Sequence, residues 1–93
     1  MAGGMQGGDP ADMERVAGII DGQRQEIEGA LKELQTKVHS LIPTIWNGPD
    51  AEKFVGDFDA EVKPQFDEVI REMTEAAAEL RRNAKEQAQT SAN

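Results

Sequence analysis

The sequence predicts an all-α fold: an antiparallel helix-turn-helix hairpin that dimerises into a four-helix bundle. Three observations predict it. Apolar residues recur at helical spacing on both sides of mid-chain. A Gly-Pro reversal separates the two runs. The chain has 93 residues, of which only 38% are hydrophobic, so it can form one domain at most and cannot build a thick core alone.

Residues 1–9 hold four glycines and little apolar content, which predicts a disordered tail. This stretch has no basic region and no apolar core, so it does not read as a secretory signal peptide. Asp9 then suits an N-cap and Pro10 the first helical position.

The first helix is expected over residues 10–45. Met13, Ile20, Ile27, Leu34 and Leu41 recur every seven residues. Ala17, Arg24, Leu31, Val38 and Ile45 each follow four residues later. Such alternation is a coiled-coil seam, with Arg24 its one charged interruption. Val16, Ile19, Ala30 and Ile42 widen the stripe, as expected of a helix that touches more than one neighbour. Pro43 removes a backbone donor and biases Ile42 away from helical geometry, so fraying or a kink is expected there.

The turn is placed at 46–49 and the second helix at 50–89. Gly48 gives the backbone freedom for a reversal, Pro49 suits a first helical position, and Asn47 or Gly48 is the expected cap. Asp50 and Glu52 complement the positive end of the helix dipole. Ala51, Phe54, Val55, Phe58, Val62, Phe66, Val69, Ile70, Met73, Ala77, Leu80 and Ala84 form the apolar face. Pro64 is expected to bend this helix, because the carbonyl of Ala60 loses its donor. Residues 90–93 are expected to fray.

Helices of this length span roughly 50–60 Å at ~1.5 Å per residue. Two of them bury one seam and leave apolar surface for a second hairpin to cover. The interface is expected at Ile20, Ile27, Leu31, Leu34, Val38, Leu41, Phe54, Phe58, Val62, Phe66, Val69 and Met73.

Chemistry is scarce by comparison. With a net charge of −8 the surface repels polyphosphate and anionic lipid, so nucleic-acid and membrane binding are disfavoured. No apolar run approaches a membrane span. There is no cysteine, hence no disulfide and no thiolate metal site. His39, the only histidine, adjoins the core position Val38 and reads as a flanking or interface residue. Ser40, Thr44 and Ser91 lack a nucleophile's context. Asp57, Asp59 and Glu61 have the odd spacing of a calcium loop but lack its glycine and bidentate glutamate. A solvated helix face fits them better, with i,i+4 pairs such as Asp67–Arg71. Neither a catalytic constellation nor a cofactor is expected. Trp46, the only tryptophan, sits beside the reversal, where it can plug the bundle's end or dock a partner.

The string Trp46-Asn47-Gly48-Pro49-Asp50-Ala51-Glu52-Lys53-Phe54 resembles the WXG motif family, the small type VII secretion substrates similar to the early secretory antigenic target proteins of actinobacteria. Trp46, Gly48, Ala51 and Phe54 carry the resemblance, which extends over about residues 10–90. It implies pairing with another such hairpin, in a homo- or heterodimer, and export without a cleaved signal peptide after folding in the cytoplasm. It further implies recognition by the secretion machine's ATPase, with Trp46, Gly48 and Phe54 in the turn motif. The family's export signal combines the turn of one subunit with a Tyr-x-x-x-Asp/Glu tail on the other. This sequence has no tyrosine, and Arg82 followed by Glu86 is its nearest tail spacing. By that pattern a partner chain brings the tyrosine. Competing readings are an intracellular coiled-coil adaptor unrelated to secretion and a membrane-active hairpin. The second is disfavoured by the acidic faces.

Overall fold

A computed structural model describes residues 8–92; the expected tail at 1–7 and the terminal Asn93 lie outside the described residues. Every regular element among the described residues is helical. Helix α1 spans Pro10–His39, α2 spans Pro49–Asp57, a single π turn covers Phe58–Val62, and α3 spans Lys63–Ala92. Two long helices with a reversal between them and no strand among the described residues are consistent with a helical hairpin.

Local chemistry explains where α1 begins. The Asp9 carboxylate accepts from the backbone N–H groups of Ala11 at 3.0 Å and Asp12 at 3.4 Å, two donors that a helix start otherwise leaves unpaired. Its carbonyl accepts from Met13 at 2.9 Å and opens the helical ladder.

Helix α1 ends at His39, short of the expected residue 45. Ser40 still donates to the Thr36 carbonyl at 3.0 Å, but Leu41 reaches back only three residues, to Val38, at 3.2 Å. Pro43 has no N–H to offer the His39 carbonyl, which disfavours continuing the α pattern through it. The Ile42–Pro43 peptide is cis.

Just before Pro64, where a bend was expected, the helix carries a π turn. The Lys63 N–H donates to the carbonyl of Phe58, five residues back. One residue is thereby inserted into the helical period, which rotates everything after it by about 100°. Stepping from Ala51 through Val55 and Phe58 at unbroken helical spacing would bring Val62, Gln65 and Val69 inward. Val62 and Val69 are instead exposed, while Ile70 packs against the core. Ala77 and Ala84, buried further along α3, follow Ile70 at seven-residue steps.

The chain divides into two compact units, each contributed to by both long helices. The unit formed by Gln25–Arg71 contains the reversal and a core of Leu31, Val38 and Phe58, with Val55 and Ile70 packed against it. The other unit takes the chain up to Arg24 and from Glu72 onward. Its buried residues are alanines: Ala17, Ala77 and Ala84. There the Asp21 carboxylate accepts from Arg81 at 2.7 Å, and Glu14 lies 3.9 Å from the same guanidinium.

Candidate functional site

The backbone on either side of the reversal is fixed by two shared carbonyls. That of Leu41 accepts from Ile45 at 3.0 Å and from Trp46 at 2.8 Å. That of Gly48 accepts from Ala51 and Glu52, both at 3.1 Å, and so opens α2. Gly48 itself has φ 122° and ψ 177°, a region essentially closed to L side chains. Space is no obstacle, since a Cβ at Gly48 would have nothing within 4 Å. The residue is required for its backbone alone. It is the helix cap, of the two expected candidates, and it caps through its carbonyl with no side-chain bond.

Trp46 is thereby aimed at the first turns of α2. Its ring lies 5.7 Å from that of Phe54, centroid to centroid, with the planes tilted by 49°. Neither ring is buried: Trp46 is 39% exposed and Phe54 47%. Ile45, expected in the first helix's seam, lies beyond the end of α1 and is 73% exposed. Three large apolar side chains therefore face solvent within this stretch.

The expected interface residues sort into three groups. Leu31, Val38 and Phe58 are buried in the core of the Gln25–Arg71 unit. Ile20, Ile27, Leu41 and Met73 are half-buried. Leu34, Phe54, Val62, Phe66 and Val69 are exposed. Of the two heptad series in α1, Ala17, Leu31 and Val38 of the second are buried, whereas no member of the first is. Val55 and Ile70 join the core although neither was among the expected interface residues.

Several charged groups are engaged in pairs. Asp59 accepts from His39 at 2.9 Å, joining residues twenty apart in sequence. Asp57 accepts from Lys53 at 2.7 Å, and this carboxylate holds the lysine's pKa above its ordinary value. Asp67 pairs with Lys63 at 2.7 Å and Arg71 donates to Glu68, so the expected Asp67–Arg71 pair gives way to a different pairing in the same helix. Arg24, the charged interruption of the seam, lies 3.6 Å from Asp21. The hydrogen bond from Arg81, followed by the positive charges of Arg81 and Arg24, outweighs partial burial and holds the Asp21 carboxyl below its ordinary pKa. Neither Asp21–Arg81 nor His39–Asp59 was legible in the sequence, since no local spacing signals them.

Little here can do covalent chemistry. The Ser40 hydroxyl donates to the Lys37 carbonyl at 2.7 Å and that of Thr36 to the Lys32 carbonyl at 3.0 Å. Among the described residues no cluster of His, Asp and Glu could hold a metal ion, and no helix is long and apolar enough to cross a membrane.

A chain of two long helices, reversed at a turn that carries Trp-x-Gly with the tryptophan partly exposed, defines a class of small all-α turn-motif proteins. The family model of proteins of 100 residues with WXG matches residues 8–91, and the chain belongs to that family, the early secretory antigenic target-like small proteins. Comparison with curated proteins and with solved structures returns no match. The family is one of small helical proteins of type VII secretion and is not known for enzymes.

Proposed function

We propose that this chain is a non-enzymatic type VII secretion substrate, or the partner subunit of one. In this reading it pairs with another helical hairpin into a four-helix bundle and presents the Trp46-x-Gly48 turn for export. The observation that carries the reading is the aromatic pair at the turn. Trp46 and Phe54 are held against each other yet keep 39% and 47% of their surface in solvent, where a partner can reach them. Burial of such surface is favourable by ~25 cal/mol per Å² of apolar area, which gives the exposed rings a reason to be covered.

Pairing uses apolar side chains that the hairpin leaves outside its own core, Leu34, Val62, Phe66 and Val69, together with half-buried Ile20, Ile27, Leu41 and Met73. Leu31, Val38 and Phe58 hold the hairpin itself together. The secretion ATPase recognises the assembled pair, and the protein leaves the cell without a cleaved signal. The chain has no tyrosine, so the Tyr-x-x-x-Asp/Glu half of the export signal comes from the partner's tail.

Trp46→Arg tests the turn. Export into the culture supernatant is expected to stop while the helical circular-dichroism spectrum persists; normal export of this variant refutes the turn's role. Leu34→Asp tests the pairing. Leu34 is 41% exposed in the single chain, so the charge harms the assembly in which it is buried more than the hairpin. An unchanged assembly mass would remove Leu34 from the interface.

A further inference from the structure

Val62, at the end of the π turn, and Gln65, Phe66 and Val69 of α3 line a groove in the Gln25–Arg71 unit, and Gln65 is its only polar lining residue. Unbroken helical spacing from Phe58 would turn Val62 and Val69 inward, and both are instead exposed after the π turn. Exposed apolar side chains in a row along one helix form a docking face, and the charges bordering it say what kind of partner fits.

Those charges are one-sided. Residues 50–71 carry seven acidic and three basic side chains. All three cations are already engaged within their own helical segment: Lys53 with Asp57, Lys63 with Asp67 and Arg71 with Glu68. Glu61 and Glu68 are exposed and stand four residues before and three after the lining residue Gln65, the spacings that put side chains on one side of a helix. A second copy meeting this face would bring the same acidic edge and no uncommitted cation from these residues. An isologous contact centred on this groove uses the same patch on both sides, so the acidic side chains nearest its two-fold axis face one another.

Resting on the pairing reading above, we infer that the partner on the Val62–Phe66–Val69 groove is a helical hairpin whose apolar stripe is bordered by lysine or arginine, rather than a second copy of this chain. The basic border answers Glu61 and Glu68, speeds encounter, and selects against self-pairing.

The test uses the full chain and, as a probe of the required chemistry, a charge-reversed copy of it carrying Glu61→Lys and Glu68→Lys. Sedimentation equilibrium measures self-association of the native chain and its association with the reversed copy, at about 25 mM and about 1 M salt, where screening lengths differ several-fold. The mixed pair is expected to be tighter than the native self-pair by roughly tenfold or more at low salt, with the gap closing at high salt. A native self-pair as tight as the mixed one, and indifferent to salt, overturns the inference while leaving hairpin pairing intact. Absence of any association, in either mixture at either salt, overturns the inference that a basic border is what this groove requires, and leaves the pairing reading to the Leu34→Asp test. Circular dichroism checks that the reversed copy is helical. Should it not fold, the salt dependence of the native chain decides: self-association strengthened by salt supports the inference, and salt-independent self-association refutes it.

Discussion

The Trp46 indole and the Phe54 ring sit 5.7 Å apart on opposite sides of the Gly48 reversal, tilted by 49°. Each partly covers the other, and together they tie the approach to the turn to the first turns of α2. Such a pair contributes about 0.5–1.5 kcal/mol beyond the area it buries. Phe54→Ala is therefore expected to lower stability to urea by that amount plus the lost contact area. Trp46 is the only tryptophan, so its emission reports the pair directly. A red shift in the folded variant is expected, and an unchanged spectrum would mean the rings are not in contact in solution.

Gly48 makes a sharper test, because its requirement is one of backbone and not of space. With φ at 122° and no atom within 4 Å of a would-be Cβ, Gly48→Ala is expected to cost ~1–3 kcal/mol in chemical denaturation. D-alanine, introduced by chemical synthesis, mirrors the allowed region and should restore most of the loss. If both isomers destabilise equally, steric contact rather than φ governs the position.

The three phenylalanines differ in role. Phe58 is buried with Leu31 and Val38, and Phe58→Ala is expected to cost about 3–5 kcal/mol, enough to melt a small unit. Phe66 lines the exposed groove, so Phe66→Ser should cost well under half as much in the isolated chain while weakening assembly with a partner. Equal losses for the two variants would place Phe66 in the single-chain core.

Asp21 supplies a pH signature. Arg81 and Arg24 lower its folded pKa below the ordinary 3.8. A group with a depressed folded pKa stabilises fully above its unfolded pKa and loses that contribution as pH falls through the folded value. Thermal melts of the native chain are expected to lose an increment of stability below about pH 4 that Asp21→Asn lacks. Parallel melting curves for the two proteins across the acid range would show that the Arg81 pair contributes nothing in solution.

Much of the site was legible because its causes are local. Trp46, Gly48 and Pro49 mark a reversal by their own backbone and side-chain chemistry, and Asp9 and Pro10 mark a helix start in the same way. The end of α1 was harder to read. Apolar spacing continues through Leu41 and Ile45, yet the helix stops at His39, because the missing donor of Pro43 outweighs a pattern that favours continuation. Pro64 was recognisable as an interruption, but its form was not. A bend keeps the helical period, whereas a π turn inserts a residue and changes which side chains face inward.

By itself the sequence determined that this protein is all-helical, where its first helix begins, and that its mid-chain reversal needs a glycine. Each rests on interactions within a few residues, which the chain carries wherever it goes. The tertiary structure alone decided which of two equally spaced heptad series turns inward, burying Leu31 and Val38 but not Ile27 and Leu34. It also decided that the inserted residue before Pro64 sends Val62 and Val69 to the surface, and that Asp21 meets Arg81 and His39 meets Asp59. Both heptad series have the same period, so periodicity cannot choose between them. The choice falls to the packing of one helix against another, and that is set by residues far apart in the chain.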